Sequence, residues 1–310
     1  MPTPFSRMLD MLISAGIRTL FWLLRMLPAR WAGALGAGLG RLCFALLRRH
    51  RVIAITNLKR IYPQQAPAWH ADMARRAFAE LGRTSLELPH VFLRSRAFLR
   101  SRVDVVNEHL MQQAMASGEG AFVAACHHCN WELGGLMLSL LGYDTTVIYR
   151  PAKYPALERY LKQCRERFGA SMQSRWEGLR WLPKTLKRGS AIAIMVDQHM
   201  SQGLQVPFMG HMANTTPLPA TFHIRQQTPI IGVSLKRKGS SFHFTLEFHP
   251  VDLPALSDNK ERDAYHIMRQ VCASFTPIIN ERAELWLWIH RRWYILEQDQ
   301  ELAEVIYAQT

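Results

Sequence analysis

Residues 119–135, EGAFVAACHHCNWELGG, contain two side chains whose types and spacing suit proton transfer. Glu132 follows His127 by five positions. An imidazole titrates near neutrality, so it takes up and releases protons readily. A carboxylate on one ring nitrogen fixes the tautomer and leaves the other nitrogen free as a base. The spacing predicts that Glu132 reaches back across the first helical turn to serve His127 in this way. Such a pair has to be positioned by a strand followed by a helix. Residues 121–125 form a short apolar run entered through a glycine turn, which reads as a buried strand, and residues 131–141 continue at helical spacing. His127 thus falls at a strand-to-helix junction, where backbone N–H groups and the positive helix end lie beside the ring.

Cys126 and Cys129 flank the two histidines, and a CxxC at such a junction invites a thiol reading, because a helix start lowers a thiol pKa. Against thiol–disulfide exchange, no Trp stands immediately before Cys126, the arrangement of thioredoxin-like proteins. Zinc is disfavoured because no second Cys pair follows and the histidines do not fall at finger spacing. A covalent intermediate on either thiol stays open. His128 is off the five-residue spacing and is expected to pack or hydrogen-bond structurally. Glu132 would also favour a helix simply by standing in its first turn.

Further strands are expected at 102–106, 145–149, 191–196, 229–235 and 242–248, and further helices at 68–90, 108–116, 156–168 and 179–187. This alternation predicts an α/β fold, a mostly parallel mixed sheet with helices on both faces. The last two strands read as a hairpin through 236–241. Thr216 as N-cap and Pro217 at the first helical position start another helix, whose N–H groups would face an anion.

The 310 residues suit one α/β domain, 51–310, with an added helical segment, 1–50. Five cysteines argue for a reducing compartment rather than a disulfide framework. The net charge of +14 is concentrated at one end: residues 1–103 hold 17 Lys/Arg against 4 Asp/Glu. Residues 7–27 are mostly apolar, with Arg7, Asp10, Ser14, Arg18 and Arg25 within roughly an 80° arc of a helical wheel. Arg18 interrupts any signal-peptide core and would be costly in a spanning helix, so an amphipathic anchor lying on a membrane is expected, with a tilted span as the alternative. Packing on the globular body is the third possibility. Ala32, Gly36 and Gly40, four apart, suit close approach of a neighbouring helix, on which this glycine-rich segment should depend. The basic runs at 48–51, 59–60 and 75–76 fit anionic lipid headgroups or an acidic protein partner, and no motif that reads bases points to nucleic acid.

His127 to Leu133, HHCNWEL, resembles the HX4(D/E) signature of the glycerolipid acyltransferase superfamily, and its NWEL form is similar to the bacterial late acyltransferases of lipid A biosynthesis. Residues 51–63, 148–151 (IYRP), 196–198 (VDQ), 206–210 (VPFMG), 214–217 (NTTP) and 284–293 (ELWLWIHRRW) resemble further blocks of that family, in family order. The resemblance implies transfer of a fatty acyl chain from acyl carrier protein to a hydroxyl of an anionic glycolipid, a lipid A precursor, at the cytoplasmic face of the inner membrane. Another lipid acceptor, such as a lysophospholipid, is the alternative. His127 would be the general base and Glu132 its orienting acid. Asn130, Arg150, Asp197, Gln198, Thr216, His290 and Arg291 would bind substrate. A thiolate leaves readily, so neither metal nor cofactor is implied. Several of these residues keep a second reading: Arg150 as a salt-bridge partner, Asp197 as structural, His290 and Arg291 as anchors of the terminal segment. Trp286, Trp288 and Trp293 are expected in the core or on an amphipathic surface.

Overall fold

The computed structural model describes residues 4–293. Four helices come first: α1 (Pro4–Met26), α2 (Ala29–Leu46), α3 (Arg48–Ile61) and α4 (Pro67–Leu93). The short α5 (Arg96–Arg100) leads into an alternating run of β1 (Val103–Val106), α6 (Glu108–Met115), β2 (Ala121–Ala125), α7 (Trp131–Leu140), β3 (Thr145–Tyr149), α8 (Pro155–Glu166), β4 (Ser171–Ser174), α9 (Leu182–Lys187) and β5 (Ala191–Met195). A hairpin of β6 (Leu204–Phe208) and β7 (His211–Thr215) precedes α10 (Leu218–Gln226). After β8 (Ile230–Arg237) and β9 (Phe244–Pro250) come α11 (Lys260–Ala273), α12 (Thr276–Glu281) and a 3-10 turn at Ala283–Leu285.

The main sheet has the order β1-β9-β8-β2-β5-β3-β4. Every pairing in it is parallel except β8 with β9, the expected hairpin. Side chains of a strand alternate between faces, so β2 sends Phe122 and Ala124 into one apolar core and Val123 into the other. The fold is α/β, with helices on both faces as the alternating pattern requires.

Several elements carry no clear sequence signal, among them β4, β6, α3 and α11. β4 reads Ser-Met-Gln-Ser, too polar for an apolar run, and pairs on one side only, with β3. Pro207 lies inside β6, which pairs only with β7. α3 buries Val52, Ala54 and Leu58 between basic runs at both of its ends. α11 buries a narrow apolar stripe, Ile267, Met268, Val271 and Cys272, together with Asp263.

Glycines let α2 cross α4 with backbone against backbone. A Cβ on Gly36 would lie 2.3 Å from the Gly82 carbonyl oxygen, and one on Gly40 would lie 2.0 Å from that of Phe78. Gly40→Leu is therefore expected to destabilise the chain by about 3 kcal/mol, as overpacking does, read as a lowered midpoint in chemical denaturation. α1 turns its polar arc inward: Arg159 Nη2 donates to Asp10 Oδ2 at 3.0 Å, and Arg18 Nη2 donates to Gln163 Oε1 at 3.0 Å while lying over the Tyr160 ring. Its apolar face points outward. Met11, Leu12, Leu20, Leu23 and Met26 of α1, and Trp31, Leu35, Leu42 and Leu46 of α2, are each more than half exposed. Among the described residues no single helix is long and apolar enough to cross a membrane, although α1 and α2, bent by 117°, meet that measure as a pair.

Candidate active site

Two neighbouring parallel strands deliver the central pair. The register sets Ala125 at the end of β2 against Met195 at the end of β5. His127 and Asp197 each stand two residues further on, so they emerge side by side at the carboxyl edge of the sheet, where open α/β sheets bind ligands. Asp197 Oδ1 accepts from His127 Nδ1 at 2.7 Å, and its Oδ2 accepts from the His127 backbone N–H at 2.7 Å. Trp286 Nε1 donates to Oδ2 at 2.8 Å. Burial alone would push the Asp197 carboxyl up; the His127 charge, the two bonds from His127 and the bond from Trp286 bring it down to about 2. An ionised Asp197 accepting at Nδ1 holds the tautomer with its lone pair on Nε2. Gln198 Nε2 completes the pattern by donating to that nitrogen at 3.1 Å.

Glu132 departs from the role its spacing predicts. Both carboxylate oxygens are taken by Arg165 of α8, at 2.5 and 2.9 Å, and no hydrogen bond joins Glu132 to His127 among the described residues. The physical reason is the turn of α7: Asn130 caps the helix by accepting from Leu133 N–H at 3.2 Å, and Glu132 in the first turn meets α8 instead of the ring. Glu132→Gln is accordingly expected to lower stability by about 1–2 kcal/mol through loss of a charge-assisted pair between α7 and α8, read as a lowered midpoint in chemical denaturation.

The terminal block braces the histidine loop. His128 forms an antiparallel bridge with Trp286, Cys129 N–H donates to Leu285 O, and Leu287 N–H donates to His127 O. Asn57 of α3 donates in turn to the carbonyls of Trp288 and His290 at 2.8 and 2.9 Å. Arg292, fully buried, donates to the carbonyls of Gln198 and Asn214 and to Thr215 Oγ1, tying the loop after β5 to the β6–β7 hairpin. Trp286, Trp288 and Trp293 are core residues.

A cavity of about 1110 Å³ opens beside His127. Of the residues expected to bind substrate, Arg150, Gln198, Thr216 and His290 line it. Asp197 does not line it and instead buttresses His127 from behind. Asn130 is fully buried as the cap of α7. Arg291 is exposed and lies off the cavity wall, while its neighbour Arg292 is the one turned into the protein. Thr216 stands two residues before α10, and Pro217 occupies the cap position, one residue later than the sequence suggests. His290 is pushed down to about 4, first by burial, and is therefore neutral at physiological pH. Arg165, Arg175 and Arg225 also line the cavity, and the sequence pattern did not single them out. Their signal lies in the strand and helix ends that bring them there.

The thiols have the opposite electrostatics to reactive cysteines. Burial pushes Cys126 well up, and Asp197 adds to it; burial pushes Cys129 up to about 12. Both stay protonated near neutrality, unlike thiols that attack. His128 accepts no catalytic position, since its ring nitrogens face the carbonyls of Leu235 and Arg282 in the core.

A family described as bacterial lipid A biosynthesis acyltransferase matches residues 3–294. The chain belongs to this family. A lipid A biosynthesis acyltransferase of Haemophilus influenzae is 22% identical over 269 residues, covering 86% of this chain and 83% of the relative. A lipid A biosynthesis palmitoleoyltransferase of Escherichia coli is 25% identical over 275 residues, 87% of either chain. A lauroyltransferase from the same organism is 23% identical, covering 87% and 88%. As a lipid A acyltransferase, the protein is an O-acyltransferase of the secondary acylation steps.

Proposed function

We propose that this acyltransferase moves a fatty acyl chain from the thioester of acyl carrier protein to a hydroxyl of a lipid A precursor, with His127 as general base and Asp197 as the residue that orients it. The observation that carries this reading is the His127–Asp197 pair opening onto a cavity with a basic mouth and an apolar interior. The acceptor hydroxyl takes the place of Gln198 Nε2 at His127 Nε2. As its oxygen attacks the thioester carbonyl, its proton passes to Nε2, and the imidazolium is stabilised by Asp197. Collapse of the tetrahedral intermediate forms the ester and breaks the C–S bond, and the thiolate departs with the electron pair of that bond. The proton on His127 then neutralises it or passes to water. A base of this kind contributes about 10²- to 10⁴-fold.

Arg150, Arg175 and Arg225 are exposed at the cavity and have no carboxylate partner among the described residues. Guanidinium groups match phosphate and carboxylate bidentately, which supports an anionic acceptor. The outward apolar stripes of α1 and α2 support the reading that residues 1–50 embed in the surface of a membrane, with 51–310 as the catalytic domain. The cytoplasmic face of the inner membrane is the proposed location.

The test supplies the purified chain with acyl-loaded acyl carrier protein and either a tetra-acylated, sugar-acid-bearing lipid A precursor or a lysophospholipid. Acyl transfer to the precursor alone is expected. Transfer only to the lysophospholipid would overturn the acceptor, and transfer from coenzyme A thioesters alone would overturn the donor.

A further inference from the structure

The cavity extends from its basic mouth under α7, and there the wall is made by absence. Gly134 and Gly135 both line it. A Cβ on Gly134 would first meet Leu235 Cβ, at 3.8 Å, and a Cβ on Gly135 would meet nothing within 4 Å. Opposite them, Met172, Val147 and Ala193 form a row across β4, β3 and β5, because the register pairs Val147 with both of the others. All three line the same cavity, as does Leu138. Glu132, three residues before Gly135, stands on the same helical face beside Arg165 at the mouth. Gly135 is therefore one turn deeper, where the polar mouth gives way to apolar wall.

We infer that Gly135 sets the length of the acyl chain this protein accepts, by leaving open the passage bounded by α7, α8 and the sheet, through which the chain's far end must lie. This rests on the acyl-transfer reading. A Leu at 135 would project its side chain into that passage and shorten it, while the mouth, His127 and Asp197 stay as they are. A short chain that ends before position 135 would not feel the change.

The test measures binding of octanoic, dodecanoic and hexadecanoic acids to the full chain by displacement of a fluorescent fatty acid, for wild type, Gly135→Leu and Gly135→Ala. Since a single methylene in an apolar pocket changes discrimination by about 10- to 200-fold, Gly135→Leu should weaken hexadecanoic acid at least about tenfold and leave octanoic acid within about twofold. Gly135→Ala should shift in the same direction by less and raise the melting temperature, because Ala is the better helix former. Equal weakening of all three acids, or no change with length in the folded Ala variant, would overturn the inference, as would a wild type that binds none of them. A wild type that binds with the expected length dependence yet transfers no acyl group would sink the acyl-transfer reading and leave the passage standing.

Discussion

Asp197→Asn is expected to lower kcat by about 10³- to 10⁴-fold, the scale on which a wrong histidine tautomer acts, while KM changes little. Asp197 receives three donors: the His127 ring, the His127 backbone N–H and Trp286 Nε1. An Asn of the same shape offers one oxygen, and its NH2 group must face a position now filled by a donor. The least costly accommodation turns the Asn amide toward Nδ1 and moves the proton to Nε2. The nitrogen facing the cavity then has no lone pair with which to take the hydroxyl proton. Steady-state kinetics beside circular dichroism check this. A folded variant with nearly full kcat would remove Asp197 from the mechanism.

The second large effect concerns stability. Arg237, at the end of β8, is fully buried and grips Glu87 of α4 with two bonds, Nη1 to Oε1 at 2.8 Å and Nη2 to Oε2 at 2.6 Å. Glu80 lies 3.3 Å from its Nε, and its guanidinium sits over the Phe244 ring. Burial pushes the Glu87 carboxyl up, and Arg237 works against that. Glu87→Ala leaves a buried guanidinium that cannot shed its charge with Glu80, 3.3 Å from its Nε, as the carboxylate that remains, so unfolding free energy should fall by about 3 kcal/mol, the low end of the range for a broken buried pair. Replacing both partners with apolar residues, Glu87→Leu with Arg237→Met, should restore most of the loss, because the cost of a broken buried pair is mainly the stranded charge. Urea denaturation of the three proteins checks the ordering, and a Glu87→Ala chain as stable as wild type would contradict it.

Strands were legible where apolar runs met glycine turns, which is why the edges of β2 and β3 fall where the sequence places them. The polar edge strand β4 and the proline-bearing β6 were not, because neither needs an apolar run on both faces. At the site, His127 was legible from its junction. Its acid was not, because residue spacing describes neighbours along a chain, whereas the partner comes from an adjacent strand. The clue lay in Asp197 itself, an acid just past a buried strand in the same layer, but only the β2–β5 register places it two residues beyond the pairing of Ala125 with Met195. Arg292 was hidden behind His290 and Arg291 for a similar reason. Nothing in IHRRW tells which Arg turns inward until the carbonyls of Gln198 and Asn214 are seen around it.

The most direct test of the dyad is the tautomer of His127, read from 15N chemical shifts of histidine-labelled protein near neutral pH, with its signals assigned by their loss in His127→Gln. The proton is expected on Nδ1 in wild type and in Glu132→Gln, and displaced from it in Asp197→Asn. A proton on Nε2 in wild type, or a tautomer that changes in Glu132→Gln and not in Asp197→Asn, would contradict the assignment and return the orienting role to Glu132.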